Sequence, residues 1–241
     1  MSDYVIGVLG GMGTYATIHL FQQYADVFQA EKEWERPRII IDNRCTMPSR
    51  VRAFLYEENV QQLVDEMANS MANLVKAGCT RIILACNTSH LFLPKIYEQI
   101  PELESKVVHI IYNCVDEICK DDVKQVFLLG TEGTIDSGIY QNAFIEAGSA
   151  VECLAPKKEE YALLRECIEA VKQNKYTDHI KEIFLNLINR YDNCILGCTE
   201  LPILYSMYQS EIQAKKVYDP LLMAVQKIKK EYDEKGISPI F

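Results

Sequence analysis

Short apolar runs alternate along the chain with longer stretches in which apolar residues recur every three or four positions. The short runs are rich in Val, Ile and Leu, which is typical of buried parallel strands, and the longer stretches have the spacing of one helix face. This alternation predicts parallel βαβ units joined by right-handed crossovers. We predict strands at 5–9, 38–41, 81–86, 107–111, 125–130, 150–154, 192–197 and 217–218. The main helical patterns lie at 14–28, 60–75, 163–171, 180–188 and 221–232.

The two halves of the chain repeat the same order of elements. The first strand of each half leads into a glycine-rich turn, and a later strand in each half ends at a cysteine, Cys86 or Cys198, 112 residues apart (198 − 86 = 112). We therefore predict an α/β fold of two pseudo-symmetric lobes, each a mostly parallel sheet flanked by helices, with the functional site in the cleft between them. The predicted first lobe comprises residues 1–103 and 213–241, and the second comprises 104–212.

Composition and charge narrow the class of protein. The chain has 241 residues, 49% of them hydrophobic and 24% charged, as in an ordinary globular protein. The net charge of −9 argues against nucleic acid as a partner. We find no signal-peptide pattern and no apolar run long enough to span a membrane, so we expect a cytoplasmic protein with no membrane partner.

Nine cysteines are a high count for a chain of this length. An odd number without an export signal favours free thiols over a disulfide framework. The sequence has no Cys-x-x-Cys pair and no cluster of histidines, so it predicts no metal site.

Cys86 and Cys198 differ from the other cysteines in position. A free cysteine is usually a buried core residue, but each of these two ends a predicted strand and precedes a helix, whose N-terminus favours a thiolate. Polar residues follow the thiols, namely Asn87, Thr88, Thr199 and Glu200. Two thiols that face each other across a cleft can act as acid and base on opposite faces of one carbon. The pair therefore indicates a racemase or epimerase that needs no cofactor.

Glycine-rich turns at 10–14 and 130–134 follow the first strand of each half. Backbone N–H groups and threonine hydroxyls in such turns can bind a small anion, although a tight turn that needs glycine for its backbone alone is an equal alternative. The first turn lacks the dinucleotide-binding fingerprint, so an NAD-dependent enzyme is the least favoured class. The residues expected to contact the anion are Gly11, Met12, Thr131 and Thr134.

Three arginines, Arg44, Arg50 and Arg52, lie in the segment after the second strand. A guanidinium binds a carboxylate through two hydrogen bonds, so we expect at least one of these arginines to bind substrate, with a solvated basic loop as the alternative.

His90 lies four residues after Cys86. It could form a Cys–His dyad, but a helix histidine with a local hydrogen bond is the favoured interpretation.

Taken together, these motifs resemble the aspartate/glutamate racemase family of cofactor-independent amino-acid racemases. The resemblance covers nearly the whole chain and rests on residues 6–13, 86–90, 130–134 and 197–202. It implies two pseudo-symmetric lobes, commonly a homodimer, an amino-acid substrate, and neither pyridoxal phosphate nor a metal. It also implies that one of the thiolates of Cys86 and Cys198 removes the α-proton while the other thiol delivers a proton to the opposite face.

The resemblance extends to substrate-binding residues. The family's Pro-Asp-Arg motif, whose Arg binds a substrate carboxylate, matches Pro48-Ser49-Arg50, and a substrate-binding lysine of the family falls best on Lys172. With the residues noted above, the predicted substrate-binding set is Gly11, Met12, Arg44, Arg50, Asn87, Thr88, Thr131, Thr134, Lys172, Thr199 and Glu200.

The chain departs from the family pattern at several positions. Thr14 stands where the family usually has Pro, Ser89 where it has Ala, Ser49 where it has Asp, and Arg44 with Cys45 where it has Asn- or Pro-type residues. The extra arginine suggests that Arg44 and Arg50 bind two carboxylates, which would favour aspartate or glutamate as substrate.

Two alternatives remain open. One is a related two-cysteine isomerase resembling maleate isomerase or hydantoin racemase, and the other is a non-catalytic two-lobe protein that binds a small anion.

Overall fold

The computed structural model describes residues 4–235, so residues 1–3 and 236–241 of the predicted first lobe lie outside the described residues. Within residues 4–235 the chain forms parallel strands and α-helices in alternation. The strands are β1 (Val5–Gly10), β2 (Arg38–Asn43), β3 (Arg81–Leu84), β4 (Gln125–Gly130), β5 (Glu152–Leu154), β6 (Asn193–Gly197) and β7 (Lys216–Tyr218). The α-helices are α1 (Thr14–Val27), α2 (Arg50–Tyr56), α3 (Val60–Lys76), α4 (Leu93–Gln99), α5 (Ile110–Ile118), α6 (Glu132–Asp136), α7 (Ile139–Glu146), α8 (Tyr161–Lys172), α9 (Asp178–Ile188), α10 (Leu201–Tyr208) and α11 (Pro220–Glu234).

The strands form two parallel sheets, with the orders β2-β1-β3 and β5-β4-β6-β7. The first strand of each half is flanked by the second strand on one side and by the strand that precedes a candidate cysteine on the other. All six residues of β1 are buried, because helices cover both faces of a parallel sheet. The predicted α/β fold with two parallel sheets is confirmed.

The predicted strand at 107–111 is wrong beyond its first residue. Val107 forms a single parallel bridge to Ile82, at the place that β7 takes beside β6 in the second sheet. The chain then enters α5 at Ile110, because the side chain of His109 caps the helix by accepting a hydrogen bond from the Tyr112 amide at 3.3 Å. The apolar residues that follow Val107 are therefore buried on a helix and not in the sheet.

The final helices of the two halves, α5 and α11, pack against each other, and α11 also contacts α1. Strand β7 pairs with β6, so residues 216–218 belong to the second sheet although the predicted boundary assigned 213–241 to the first lobe. The lobe boundaries themselves stay predictions.

Apolar side chains between sheets and helices form the core. One buried cluster runs through both halves and includes Ile83, Phe127, Ile195 and Ile228. A second cluster lies under α3 around Met67 and Met71. None of the helices within residues 4–235 is long and apolar enough to cross a membrane.

Candidate active site

The C-terminal ends of β3 and β6 bring the two candidate cysteines into neighbouring loops. Cys86 and Cys198 lie just beyond the ends of these strands. The hydroxyl of Thr199 donates a hydrogen bond to the carbonyl of Ala85 at 3.2 Å, which joins the loop after β6 to the loop after β3. Covalent geometry then limits the separation of the Cys86 and Cys198 Cα atoms to about 12 Å. The two halves therefore each contribute one cysteine to the same region of the structure.

Cys198 is a buried thiol with a carboxylate as its partner. Its Sγ donates a hydrogen bond to Glu200 Oε2 at 3.0 Å, and its side chain is only 6% exposed. Burial, followed by the negative charge of Glu200, raises the pKa of the Cys198 thiol well above its usual value, against a smaller opposing effect of Lys172. Cys198 is therefore held as the neutral thiol, which is the form that can donate a proton.

Glu200 is itself buried and only half satisfied. Burial raises the pKa of its carboxyl, while the Cys198 hydrogen bond and the charges of Lys172 and Arg50 lower it. Its second oxygen, Oε1, has no hydrogen-bond partner within residues 4–235. A Cβ at Gly13 would overlap this oxygen, so the glycine-rich turn needs glycine there to leave room for the carboxyl.

Cys86 is more accessible than Cys198 and is supported through its backbone. His90 Nδ1 lies 2.9 Å from the Cys86 carbonyl, and the Ile110 amide donates to His90 Nε2 at 3.4 Å, so these partners assign the proton to Nδ1. Burial lowers the pKa of His90 to about 4, which keeps the ring neutral. His90 therefore makes the local hydrogen bond that the sequence favoured, and it forms no hydrogen bond to the Cys86 thiol.

Asn87, directly after Cys86, is buried with only one end of its amide satisfied. The hydroxyl of Tyr140 donates to Asn87 Oδ1 at 2.6 Å. Asn87 Nδ2 is buried and has no partner among residues 4–235. An unpaired donor beside a candidate catalytic thiol indicates a place for a ligand atom.

Three threonine hydroxyls from both halves meet in a cluster, which we call the hydroxyl cluster. Thr88 Oγ1 lies 2.9 Å from the Oγ1 atoms of both Thr131 and Thr134, and the last two are 3.0 Å apart. Thr131 also caps α6 by accepting from the Thr134 amide at 3.2 Å. The structure thus brings together three of the predicted substrate-binding residues beside Asn87.

Arg50, the first residue of α2, contacts the glycine-rich turn that follows β1. The Ser49 hydroxyl caps α2 by accepting a hydrogen bond from the Arg52 amide. Arg50 Nη2 donates to the Met12 carbonyl at 2.8 Å and its Nη1 to the Pro48 carbonyl at 3.1 Å. Its Nε is buried and has no partner within residues 4–235. Arg50 therefore adds positive charge near Glu200 while two carbonyls hold most of its guanidinium.

The guanidinium of Arg44 contacts residues of α3, and its predicted pairing with Arg50 on two substrate carboxylates stays a prediction. Its Nε donates to Glu66 Oε2 at 3.1 Å, and its Nη1 lies 3.4 Å from the Ser70 hydroxyl. Both partners lie on α3. The backbone of Arg44 packs directly against Gly11 of the glycine-rich turn, which has a φ of 78°.

A cavity of about 350 Å³ opens between α2 and α8, next to the end of β4. Thr131 and Lys172 line it, and Lys172 is the residue whose charge acts on both Cys198 and Glu200. The cavity wall also holds Arg52, Tyr56, Tyr161 and Arg165.

Each basic side chain that lines this cavity is paired with a carboxylate. Arg52 bonds to Glu58, Arg165 to Glu132, and Lys172 to Glu169. No motif in the sequence marks Arg165, Tyr56, Tyr161 or Tyr140, which only the structure brings near the predicted site residues. Within residues 4–235 no group of three or more His, Cys, Asp or Glu side chains could hold a metal ion.

Comparison with known proteins shows which family the chain resembles. A sequence model described as Asp/Glu/Hydantoin racemase matches residues 9–228. The chain is 29% identical over 217 residues to the broad specificity amino-acid racemase RacX of Bacillus subtilis (strain 168), covering 86% of this chain and 90% of RacX. It is 26% identical over 182 residues to the glutamate racemase of Aquifex aeolicus (strain VF5), covering 75% of this chain and 67% of that enzyme. The structure of the Picrophilus torridus aspartate racemase matches with a TM-score of 0.78 at 26% identity, over 98% of this chain and 100% of the other.

Proposed function

This amino-acid racemase belongs to the Asp/Glu/hydantoin racemase family, and we propose that it inverts its substrate by proton transfer at Cα between Cys86 and Cys198, without a cofactor. The observation that carries the proposal is the hydrogen bond from Thr199 to the Ala85 carbonyl, which joins the two cysteine loops. We propose that each sheet supplies one thiol to a shared substrate cleft.

The two thiols differ in exposure, since Cys86 is half-buried and Cys198 is buried, and the proposed reaction uses one as the base and the other as the acid. The Cys86 thiolate takes the α-proton, so the Cα–H bond breaks and its electron pair stays on the substrate. Cys198, held as the neutral thiol, gives its proton to the opposite face of Cα. The opposite enantiomer reacts by the reverse transfer, with Cys198 as the base.

Glu200 makes the reverse transfer feasible. A Cys198 thiolate beside an ionised Glu200 would place two negative charges about 3 Å apart, a repulsion of about 5 to 6 kcal/mol at an effective dielectric constant of about 20. Because burial raises the pKa of Glu200, the carboxyl can hold a proton whenever Cys198 is the thiolate. The pair then shares one proton between two acidic groups.

Hydrogen-bond donors that could bind the substrate carboxylate lie near Cys86. Removal of the α-proton moves negative charge onto this carboxylate, so preorganised donors there lower the barrier. Asn87 Nδ2 is unpaired within the described chain, and the hydroxyl cluster lies next to it. The charges of Arg50 and Lys172, which act on Glu200, contribute to the same field.

The cavity between α2 and α8 suits the substrate side chain. Lys172, Arg52 and Arg165 line it, so a carboxylate-bearing side chain can exchange with one of their present acidic partners. We therefore propose aspartate or glutamate as substrate. The homodimer implied by the family resemblance stays a prediction, as does the cytoplasmic location.

The test is a panel of L- and D-amino acids incubated in heavy water and read by chiral chromatography and mass spectrometry. We expect inversion of an acidic amino acid with one deuterium at Cα. Cys86→Ser and Cys198→Ser should each lower kcat/KM by at least about 10²-fold, because a serine hydroxyl is a far weaker acid than a thiol. Since the two enantiomers have equal free energy, each variant must lower kcat/KM equally in both directions.

Cys119→Ser, which changes an exposed cysteine after α5, is the matched control and should keep wild-type activity. Wild-type rates in both site variants would refute the proposal. Turnover of an unsaturated diacid in place of an amino acid would favour a maleate-isomerase-like enzyme. Unchanged ligand affinity in both variants, with no exchange at Cα in the wild type, would favour a binding protein.

A further inference from the structure

Tyr140 joins the two halves of the molecule beside the candidate active site. It lies on α7 in the second half, and its side chain is fully buried. Its hydroxyl donates a hydrogen bond of 2.6 Å to Oδ1 of Asn87, the residue after Cys86 in the first half. No motif assigns this tyrosine a role, and the mechanism above does not use it.

This hydrogen bond decides which end of the Asn87 amide faces the cleft. Burial raises the pKa of Tyr140 well above its usual value, so its hydroxyl keeps its proton and needs an acceptor. Asn87 Oδ1 is the acceptor that the hydroxyl uses. A flipped amide would set an NH₂ group against the hydroxyl and leave the phenolic proton without an acceptor.

With Oδ1 held by Tyr140, the NH₂ end of Asn87 is the free end. Nδ2 is buried without a partner among residues 4–235, and such an unpaired donor costs about 1 to 3 kcal/mol. A fold tolerates this cost at a site where a ligand completes the hydrogen bond. Thr88, the next residue, belongs to the hydroxyl cluster, so the free NH₂ lies where the proposed function places the substrate carboxylate.

We propose that Tyr140 is a positioning residue, which orients the Asn87 amide so that Nδ2 donates to the substrate carboxylate as charge builds up during α-proton removal. This inference rests on the proposed function. Losing one oriented donor at a developing charge typically lowers kcat by about 10²- to 10³-fold. Because Asn87 stays present and only loses its fixed orientation, we expect a loss of about 10- to 100-fold in Tyr140→Phe.

The kinetic test combines Tyr140→Phe with Asn87→Ala. Phenylalanine keeps the ring in the core, so kcat should fall while KM changes less than about threefold, as for an interaction made mainly in the transition state. The double variant should lose no more than Asn87→Ala alone, because Tyr140 acts only through the asparagine. Losses that multiply, or a wild-type kcat in Tyr140→Phe, would overturn the inference.

Tyr218→Phe is the matched control for loss of a buried tyrosine hydroxyl. Its hydroxyl donates to Asp121 at 2.8 Å, away from the candidate site, and its side chain is 6% exposed. We expect this variant to lose some stability and to keep its kcat.

A spectroscopic measurement separates this inference from the proposed function. In the substrate-free protein the Asn87 side-chain amide should give one resolved pair of ¹⁵N-correlated resonances, assigned by their loss in Asn87→Ala. In Tyr140→Phe these resonances should shift and broaden, because the whole amide group can then rotate about the Cβ–Cγ bond of Asn87. Unchanged resonances would overturn the inference whether or not the protein is a racemase. A wild type that racemises nothing would instead overturn the proposed function, and with it the catalytic role given to the amide.

Discussion

His90 should make the fold lose stability as the pH falls through the mildly acidic range. Its ring is buried, its Nδ1 proton is held by the Cys86 carbonyl, and its Nε2 accepts from the Ile110 amide. Protonation would set a new N–H directly against the Ile110 N–H and would place a charge on a buried ring.

The direction and the size of this change in stability follow from the pKa of His90. Burial lowers the pKa of His90 from 6.5 to about 4 in the folded state, so the unfolded chain binds the proton more readily. The stabilisation is therefore complete above pH 6.5 and is lost as the pH falls from 6.5 towards 4. A difference of 2.5 units (6.5 − 4) corresponds to about 3 kcal/mol. That is a large part of the stability of a typical domain, about 5 to 15 kcal/mol.

The assay is urea unfolding of the wild type and of His90→Asn from pH 7.5 to pH 4.5. The asparagine amide can replace Nδ1 as donor to the Cys86 carbonyl but cannot titrate. The free energy of unfolding of the variant should therefore fall less than that of the wild type across this range, by up to about 3 kcal/mol. His179→Asn, at an exposed histidine of α9, is the control and should keep the wild-type slope.

Equal slopes for the wild type and His90→Asn would refute the reasoning, since the buried ring would then not be the group that takes up the proton. His109 contributes to the slope of both proteins, because burial lowers its pKa to about 2. Racemase activity measured in parallel should fall along with unfolding in the wild type, because the same ring holds the Cys86 loop.

Three further predictions concern the site. Glu200→Gln removes the negative charge 3.0 Å from the Cys198 thiol and so lowers the pKa of that thiol. The alkaline limb of the pH profile of kcat/KM should therefore move to lower pH. An unmoved limb would contradict the pairing of the Cys198 thiol with the Glu200 carboxylate. Gly13→Ala should displace the Glu200 carboxyl and reproduce that shifted profile in a folded protein, as checked by circular dichroism; a wild-type profile would show that the glycine is not needed there. Arg44→Ala should lower the free energy of unfolding by about 1 kcal/mol, because it breaks the partly buried pair with Glu66. It should leave KM for aspartate unchanged, and a selective rise in that KM would restore Arg44 as a substrate ligand.

Local sequence patterns were sufficient to predict most of the fold. Apolar runs and helical periodicity placed the strands and helices because both depend on neighbouring residues in the chain and on whether a face is buried. The repeat predicted two parallel sheets, and the structure has both. The positions of Cys86 and Cys198 just after strands were readable for the same reason.

The errors came from interactions between distant parts of the chain. The apolar residues after Val107 resemble a strand, but capping by His109 starts a helix there. Arg44, predicted to bind substrate from its place in a loop, also forms a hydrogen bond with Glu66 on α3, which its position in the loop alone does not reveal.

The sequence by itself thus determined the two-sheet fold, the pair of cysteines and the glycine and threonine turns around them. Only the tertiary structure decided the state of the Cys198 thiol, since burial and the facing Glu200 carboxyl raise its pKa and keep it protonated. It alone set Tyr140 against Asn87, 53 residues away in the chain. Hydrogen bonds and pKa values depend on distances of a few ångströms between groups far apart in sequence, and those distances exist only once the two halves have packed together.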